Sequence, residues 1–214
     1  VYTVIGHSHL EKLGDRRGVF KAKTEMLPFL PEDGTVFANG DDDMLAAMDC
    51  GRKKILFGLG GHNDVRAENV RAADDLAALC DITAAGRRIQ VRIPAYGRHM
   101  VYAALAGAAV GLEFGLTDGE IAAGIAAYRP VGRRADVSDT GLVTLIDDCY
   151  NANPDSVRCA VDSMSGFHAR RVCILGDMLE LGEDTRELHR EVGRNEEENG
   201  ADLVLTAGEL GAEI

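Results

Sequence analysis

The sequence predicts an α/β protein built in two parts, and three observations lead to this fold class. Residues 35–57 read as a strand, a helix and a strand, a unit that joins parallel strands. Strands and helices alternate again over residues 143–206, as in a doubly wound, Rossmann-like half domain. Between these regions, the stretch Arg-Pro-Val-Gly-Arg-Arg at 129–134 breaks the helical pattern. We therefore predict two domains, at residues 1–130 and 131–214.

The composition limits the kinds of partner that the protein can have. The chain has 214 residues, a hydrophobic content of 46% and a formal net charge of −12. This negative charge argues against nucleic acid or an anionic membrane as the main partner, because binding phosphates needs a basic face. The five cysteines are scattered without a CxxC pair, which argues against a disulfide framework or a zinc site and favours the cytoplasm. No apolar run approaches the length that spans a membrane, so we expect small molecules or proteins as partners.

A predicted buried strand at 143–146 runs into a group of polar residues. Pro154 fits the first position of the following helix, with Asn153 as its cap. Ligands bind at the carboxyl ends of strands in open α/β sheets, and the predicted strand 172–175, which ends near Asp177, should meet the same edge. From the spacing alone, a turn that only caps the helix explains the pattern equally well. The polar residues are Asp147, Asp148, Tyr150, Asn151 and Asn153.

Two histidines follow the first predicted strand, at residues 1–5. His7 and His9 stand two residues apart, so in a strand they would share a face and could bind a metal. Histidines in such a position are more often polar loop residues, and only a carboxylate or similar partner would favour the metal site.

A predicted helix after these histidines places a lysine on its apolar face. With Asp15 as the cap and Pro28 after the end, apolar residues such as Val19 and Leu27 fall on one stripe. Lys23 lies in the middle of that stripe, four residues from each of them. A lysine that faces inward is costly unless it is paired or neutralised, which favours a functional role. The alternative is a packed stem with the ammonium group in water.

A glycine-rich stretch at 58–61 follows the second strand of the βαβ unit. The sequence Gly-Leu-Gly-Gly leads into Asn63 and Asp64 rather than into a helix that carries Gly-Lys-Ser/Thr. It is therefore neither a P-loop nor a dinucleotide fingerprint, and we expect a plain glycine turn.

The next segment allows two interpretations. Residues 74–80 could form a helical turn, whereas 82–93 resemble a hairpin with an Ala-Gly turn, and we favour the hairpin. A helix rich in small residues follows at 100–112, suited to close packing. Thr117 and Glu120 then form a predicted capping box at the start of the next helix.

Taken in order, several stretches of the sequence resemble the Mur ligases. The last two stretches together are specific to the branch of this family that adds a dipeptide. The resemblance implies the C-terminal part of a P-loop-type central α/β domain, followed by a truncated Rossmann-like C-terminal ligase domain. The matching stretches are HLEKLGDRRGVFKAKTEML (9–27), LPEDGTVFANGDDD (30–43), GRHMVYAALAGAAVG (97–111), GRR (132–134), IDDCYNANPDS (146–156) and LGDMLELG (175–182).

The resemblance implies an ATP-dependent ligase that forms an amide bond in the cytoplasm. Such an enzyme adds D-alanyl-D-alanine to UDP-N-acetylmuramoyl-tripeptide in the synthesis of peptidoglycan precursors. The substrate carboxylate attacks the γ-phosphate of ATP to give an acyl phosphate, and the dipeptide amine then displaces phosphate. Mg²⁺ and cationic side chains stabilise charge on the transferring group.

Three residues match family positions that handle the metal and the phosphates. By the resemblance, His9 corresponds to a magnesium-ligand histidine. Lys23 corresponds to a lysine that is carbamylated, so that its amine becomes an anionic oxygen ligand for the metal. Arg133 is similar to the linker arginine near the phosphates. The resemblance thus implies catalytic roles for all three.

Five further residues match the nucleotide side of the family's site. Asp148 is similar to the residue that contacts the ribose, and Asn39 to one that lines the nucleotide. The remaining three belong by resemblance to the region of ATP and the incoming dipeptide; they are Tyr150, Asn151 and Asn153.

The sequence departs from the family pattern in two ways. The N-terminal UDP-binding domain and the Gly-x-x-Gly-Lys-Thr phosphate loop are absent, so we expect the rear half of a ligase that is inactive alone. In addition, Ala103 stands where the family usually has an asparagine near the adenine. Nucleotide affinity could differ for this reason, or other groups could compensate.

Other functions stay open at this point. A non-catalytic binding module could keep the fold without a phosphate loop; Ala103 favours it, and the matched metal and phosphate residues argue against it. Another Mur-type ligase, such as a relative of folylpolyglutamate synthetase, would use similar residues on a different substrate. A dinucleotide oxidoreductase is disfavoured because no strand is followed by a glycine fingerprint.

Overall fold

The computed structural model of the chain describes residues 1–73, 75–164, 167–198 and 201–214. The chain divides into two compact units. The first unit comprises Val1–Ile5, Lys23–Val131 and Ala135–Ile146. The second unit comprises Gly6–Ala22, Gly132–Arg134 and Asp147–Ile214. Within the described ranges, no helix is long and apolar enough to cross a bilayer.

Strands and helices alternate over residues 35–58 and again over residues 144–206, whereas the four strands within residues 53–93 follow one another without a helix. The α-helices are α1 (Leu10–Leu13), α2 (Arg16–Thr24), α3 (Asp43–Ala47), α4 (Met100–Glu113), α5 (Asp118–Ala126), α6 (Pro154–Met164) and α7 (Thr185–Glu198). The strands are β1 (Thr35–Asn39), β2 (Lys53–Gly58), β3 (Val65–Ala72), β4 (Ala78–Ala84), β5 (Arg87–Ile93), β6 (Asp136–Asp139), β7 (Thr144–Asp147), β8 (Val172–Leu175) and β9 (Leu203–Thr206). Short 3-10 turns lie at Leu27–Phe29, Gly182–Asp184 and Gly211–Glu213.

The first unit is built on a five-stranded mixed sheet in the order β1-β2-β3-β4-β5. β1 and β2 run parallel, with Thr35 opposite Lys53, and α3 connects them. This arrangement confirms the predicted βαβ unit. β3 joins β2 in parallel, and β4 and β5 follow as antiparallel strands. The sequence analysis did not predict β3.

The favoured hairpin is confirmed. β4 and β5 are joined by Ala85 and Gly86, both at positive φ, as a two-residue hairpin turn requires. The alternative helical turn is wrong for the part of 74–80 that is described, because Ala78 already begins β4. Asp74 lies outside the described residues.

Helix α4 and the sheet share one core. Leu105 is fully buried in the same apolar cluster as Phe57 of β2 and Ile82 of β4. Small residues of α4 permit close packing, as predicted: a Cβ added at Gly111 would lie 3.1 Å from Ile121 Cγ1 on α5. Because burial of apolar area drives folding, this cluster is the main source of stability of the first unit.

Two predicted helix starts are confirmed. Asp15 Oδ1 accepts the Gly18 N–H at 2.9 Å at the start of α2. At α5, Thr117 Oγ1 accepts the Glu120 N–H at 3.3 Å, and Glu120 Oε2 accepts the Thr117 N–H at 2.8 Å. The capping box is therefore complete.

The second unit contains α6, α7 and a parallel pair of strands. β8 and β9 pair with Val172 opposite Leu203, as the predicted alternation requires. Met178 and Val192 are buried in its core, and the buried His189 lies on α7. The predicted end of α6 near Gly166 lies outside the described residues.

Three sequence-based expectations about strands are wrong. β7 pairs only with β6 among the described strands, and Leu145 is 49% exposed rather than buried. β8 pairs with β9 in a separate ladder, so β7 and β8 share no sheet edge in the described ranges. Asp177 instead accepts backbone N–H groups of residues 209–211 at 2.8–3.1 Å and stabilises a turn. Val1–Ile5 forms a single bridge, Tyr2 to Ala38, rather than a strand.

We expect Leu105→Ala to lower the free energy of unfolding of the chain by about 2–5 kcal/mol, because it leaves a cavity in the core. Urea denaturation followed by circular dichroism measures the change. Leu142→Ala is the matched control, since Leu142 is 94% exposed and its truncation should cost no more than about 0.5 kcal/mol. Equal losses for the two variants would contradict the assignment of the core.

Candidate functional site

His9 is held by a carboxylate from the other end of the sequence. The backbone of His9 adopts a left-handed conformation, with φ +60°, immediately before α1. Its Nδ1 donates a hydrogen bond to Glu180 Oε2, in the LGDMLELG stretch. This hydrogen bond is the main reason that the pKa of the Glu180 carboxyl is lowered. His9 thus has the carboxylate partner that the sequence analysis required for a functional histidine.

His7 and Ser8 are held by the start of α6. Asp155 Oδ2 accepts the His7 N–H at 2.9 Å and lies 3.1 Å from His7 Nδ1. Asn153 Nδ2 donates to Ser8 Oγ at 3.2 Å. The segment at 6–9 is therefore bound by both stretches that the sequence analysis found most specific, YNANPDS and LGDMLELG.

Asn153 also caps α6, as predicted. Its Oδ1 accepts the Ser156 N–H at 3.0 Å, its own N–H donates to Ser156 Oγ at 3.0 Å, and Pro154 takes the first helical position. The capping interpretation therefore holds for Asn153, and both ends of its side-chain amide are engaged.

Arg133 lies at the centre of a polar cluster in the second unit. Its guanidinium is 3.7 Å from Asp147 Oδ2 and 3.8 Å from Cys149 Sγ, and its carbonyl accepts the Tyr150 N–H at 3.2 Å. Arg134 stacks over the ring of Tyr150 at 4.0 Å. A hydrogen bond from the Cys149 thiol, with a smaller contribution from Arg133, lowers the pKa of the Asp147 carboxyl. The Arg133 side chain is 71% exposed, so its donors can reach an anionic ligand.

Three other residues predicted for the site lie in the loop between β7 and α6. Asp148 is half-buried, and Tyr150 and Asn151 are exposed. Together with Arg133 and Asn153, they belong to one loop region of the second unit. The structure therefore places Arg133 beside the loop that carries the other four residues, through its contact with Tyr150.

Lys23 is exposed, and its predicted inward orientation is wrong. Helix α2 ends at Thr24, so Met26 and Leu27 do not continue its apolar face, and Met26 is 59% exposed. Lys23 Nζ donates to the carbonyl of Val4 at 2.8 Å. The stripe argument failed because it assumed a helix one turn longer than the one that forms.

Asn39 is buried, and its side chain binds the backbone. Its Nδ2 donates to the Thr3 carbonyl at 2.9 Å, and its Oδ1 accepts the Asp41 N–H at 3.0 Å. Asn39 therefore fixes the segment Val1–Ile5 beside β1, in the first unit. Lys23 binds the same segment.

The sequence analysis missed a carboxylate that organises the end of the parallel strands. Asp41 accepts hydrogen bonds from the Leu59 N–H at 2.6 Å, the Gly60 N–H at 3.0 Å, Asn63 Nδ2 at 2.8 Å and the Tyr102 hydroxyl at 2.9 Å. Desolvation acts to raise the pKa of Asp41, but these hydrogen bonds outweigh it, and the net effect lowers this pKa. The pattern that could have revealed this role is an aspartate just after β1, Asp41, together with the glycine stretch that follows the neighbouring strand β2.

The glycines around Asp41 are required by close contacts. A Cβ at Gly58 would lie 2.7 Å from Asp41 Oδ1, and one at Gly60 would lie 2.8 Å from the same atom. A Cβ at Gly40 would overlap Asn63 Oδ1. The Gly-Leu-Gly-Gly stretch is therefore not a plain turn, because its backbone must approach a carboxylate closely.

The described residues offer single metal ligands rather than a complete site. No group of three or more His, Cys, Asp or Glu side chains in the described ranges is arranged to hold an ion. His9 presents a second ring nitrogen, since Nδ1 is the atom that binds Glu180. Lys23 presents an exposed amine that carbamylation would turn into an oxygen ligand. A carbamate oxygen on Lys23 suits Mg²⁺, which prefers oxygen ligands, whereas the imidazole nitrogen of His9 is a softer ligand and would be one donor among oxygens.

A cleft of about 710 Å³ lies in the second unit, between α1 and the loop that follows β8. Its lining is both apolar and acidic, and Glu180 forms part of it. The acidic lining residues are Glu11, Glu180, Glu183 and Asp184, and the apolar ones include Leu10, Met178, Leu181 and Leu210.

We expect Asp41→Asn to destabilise the chain at neutral pH by about 1 kcal/mol or less, since solvent screens this exposed group. The folded-state pKa of Asp41 is lowered, so its contribution is present above the ordinary value near 3.8 and is lost as the pH falls through the folded pKa. The difference between parent and variant should therefore shrink in acid, as measured by urea denaturation at a series of pH values. Asp33→Asn, at an exposed turn residue, is the control for the loss of one negative charge. A difference for Asp41→Asn that is constant with pH would contradict the role of the carboxylate charge.

Two family models match the chain. The Mur ligase middle domain matches residues 1–111, and the Mur ligase, glutamate ligase domain matches residues 132–214. These matches identify the α/β fold as the middle and C-terminal domains of that family.

Relatives of known name are similar over nearly the whole chain. The UDP-N-acetylmuramoyl-tripeptide–D-alanyl-D-alanine ligase of Bacillus subtilis is 36% identical over 220 residues, covering 100% of this chain and 47% of that protein. The ligase of the same name from Escherichia coli is 35% identical, covering 94% of this chain and 45% of that protein. The chain therefore spans about half the length of the curated relatives it matches.

Solved structures agree with this relationship. A crystal structure of MurF from Acinetobacter baumannii has a TM-score of 0.92 and 27% identity, covering 99% of this chain and 47% of that one. MurF from Thermotoga maritima, in complex with ADP, has a TM-score of 0.87 and 23% identity, covering 100% and 50%, and so shows the fold alone. From the matched domains, the relatives and the fold, the chain belongs to the Mur ligase family.

Proposed function

We propose that this chain is the rear part of an ATP-dependent ligase that adds D-alanyl-D-alanine to UDP-N-acetylmuramoyl-tripeptide in the cytoplasm. The observation that carries the proposal is the way in which the segment at 6–9 is bound. YNANPDS binds it through Asn153 and Asp155, and LGDMLELG binds it through Glu180. Relatives named for this reaction are 33–36% identical to the chain, which supports the same substrates.

The phosphate side of the site would be formed by three residues. By the family resemblance, His9 in the second unit would be a ligand of Mg²⁺, and Lys23 in the first unit would be one as a carbamate. Bound Mg²⁺ would supply charge stabilisation for the transferring phosphoryl group. Arg133 is exposed and presents a planar set of donors, which suits bidentate binding of phosphate oxygens. Its backbone contact with Tyr150 would position this guanidinium relative to the nucleotide loop.

The nucleotide side would be formed by the loop between β7 and α6. Asp148 would accept a hydrogen bond from a ribose hydroxyl. Tyr150 and Asn151, both exposed, would contact ATP or the incoming dipeptide. Asn153 would act mainly by holding the loop, because its amide is engaged by Ser8 and Ser156. By the family resemblance, Asn39 in the first unit would line the nucleotide.

We also propose that the boundary between the two family domains falls at residues 130 and 131. The family models leave residues 112–131 unmatched, and the helix-breaking stretch 129–134 lies at the end of that gap. The proposed domains are 1–130 and 131–214.

A non-catalytic binding module is the second candidate, and Ala103 favours it. Ala103 is exposed on the first turn of α4, so packing does not exclude the asparagine that the family usually has there. The exposed donors of Arg133 and the held imidazole of His9 favour the ligase instead.

We expect the full-length protein to form the amide product from ATP, Mg²⁺, UDP-N-acetylmuramoyl-tripeptide and D-alanyl-D-alanine, while the 214-residue chain alone forms none. The reason is that the sequence of the chain contains no phosphate loop. Mass spectrometry of the product and release of phosphate measure the reaction. Turnover by the chain alone would contradict its proposed inactivity. ATP binding without ligation by the full-length protein would favour the binding module, and ligation of a folate would favour the other type of ligase.

We expect Lys23→Ala in the full-length protein to lower kcat by about 100-fold or more, because it removes a group that holds the metal. Bicarbonate or short carboxylates should restore part of this activity by replacing the carbamate oxygen. Lys21→Ala, on the same helix, is the matched control and should keep most of the activity. Loss without any rescue would count against the carbamate, and full activity of Lys23→Ala would remove this residue from the site.

A further inference from the structure

We infer that Glu180 is a positioning residue for His9, a role that rests on the proposed function of His9 as a metal ligand. Glu180 lies outside the residues that the family resemblance assigned to the site. Its carboxylate accepts a hydrogen bond from His9 Nδ1 across 171 residues of sequence. The inference is that this contact sets which nitrogen of His9 carries the proton, and so which nitrogen can bind a metal.

Both partners of this contact hold unfavourable backbone conformations. His9 has φ +60° and Glu180 has φ +61°, and neither residue is a glycine. Left-handed backbone costs energy for such residues because the Cβ crowds a carbonyl oxygen. The side chains of His9 and Glu180 are 57% and 44% exposed, and ion pairs so exposed add little stability. The ion pair therefore does not offset the energetic cost of the two left-handed backbones. Backbone strain of this kind is typical of functional sites.

The loop that carries Glu180 is held on both sides. The Glu180 carbonyl accepts the Glu11 N–H at 3.3 Å, which ties the loop to α1. His189, fully buried on α7, accepts the Met178 N–H at 3.0 Å through Nε2 and lies 2.7 Å from the Thr185 carbonyl through Nδ1. These contacts fix the loop at Met178 and at Glu180 itself, so the carboxylate is presented in a defined position.

The chemistry follows from the donor and acceptor capacity of the two groups. A carboxylate only accepts hydrogen bonds, and a neutral imidazole carries one N–H. The contact with Glu180 therefore places the proton on Nδ1 and leaves the lone pair on Nε2. A histidine that binds a metal commonly donates its other N–H to a carboxylate, which fixes the ring and raises its basicity as a ligand. Glu180 thus prepares Nε2 of His9 as a ligand nitrogen.

The first test measures the tautomer directly, without metal or substrate. Long-range ¹H–¹⁵N correlation spectra of the full-length protein, at mildly alkaline pH, distinguish Nδ1–H from Nε2–H for each histidine. We expect His9 to carry the proton on Nδ1, and Glu180→Ala to shift it toward Nε2. Asp155→Asn is the matched control, because it changes the carboxylate beside His7 in the same segment and should leave the His9 spectrum unchanged. A His9 that carries its proton on Nε2 in the parent protein would overturn the inference.

The second test separates positioning from a structural role. Mn²⁺ binding to the full-length protein with a non-hydrolysable ATP analogue, followed by electron paramagnetic resonance, should weaken by about 10- to 100-fold in Glu180→Ala. Glu180→Gly removes the carboxylate and also the backbone strain, so it should weaken Mn²⁺ binding while its melting temperature stays at or above that of the parent. A melting temperature that falls while Mn²⁺ binding is unchanged would show a structural role and overturn the inference.

The proposed function can fail separately. If His9→Ala keeps full ligase activity and full Mn²⁺ affinity, His9 is not a metal ligand and the proposed site is wrong. If His9→Ala loses both and Glu180→Ala keeps both, the proposed site stands and the role of Glu180 is overturned.

Discussion

The second unit depends on the way in which one short segment, residues 6–9, is bound from two distant parts of the chain. The contacts to His7, Ser8 and His9 span 148, 145 and 171 residues of sequence. Closing such long loops costs chain entropy, so these hydrogen bonds form only together with the rest of the unit. They bring the end of β8 and the start of α6 to the same segment. Of the residues proposed for the site, His9 and Asn153 make these contacts themselves.

The sequence predicted most accurately those features that depend on a few neighbouring residues. The capping box of Thr117 and Glu120, the Ala-Gly hairpin turn and the Pro154 helix start depend on local hydrogen bonds and φ angles, and all three are confirmed. The predictions of burial were wrong, because burial depends on partners that are distant in the sequence. Lys23 was placed on an inward face by a helix assumed to reach residue 27, and β7 was expected to be buried although β6 is its one partner among the strands that the structure describes. The role of Asp41 was missed for the same reason, since its donors come from residues 59–63 and from α4.

Family matches and compactness divide the chain differently. Residues 1–111 match the middle domain of the family, yet Gly6–Ala22 within them belongs to the second compact unit. A family model records common ancestry along the sequence, whereas a compact unit records which contacts have formed. His9 belongs by ancestry to the middle domain, but its hydrogen bond is with Glu180, in the part that matches the C-terminal domain. The neighbours that constrain a residue are therefore not always those of its own family domain.

The glycines around Asp41 bear on how this protein could be stabilised by engineering. Replacing glycine by alanine stabilises many proteins by restricting the unfolded chain, and positions are usually chosen where φ is negative. Gly40, Gly58 and Gly60 all pass that backbone criterion, because none has a positive φ. Each would nevertheless bring a methyl group into the atoms around the Asp41 carboxylate. Gly107 and Gly124, on α4 and α5, have open space at the same position and are the sound choices, each with a gain of about 0.5–1 kcal/mol.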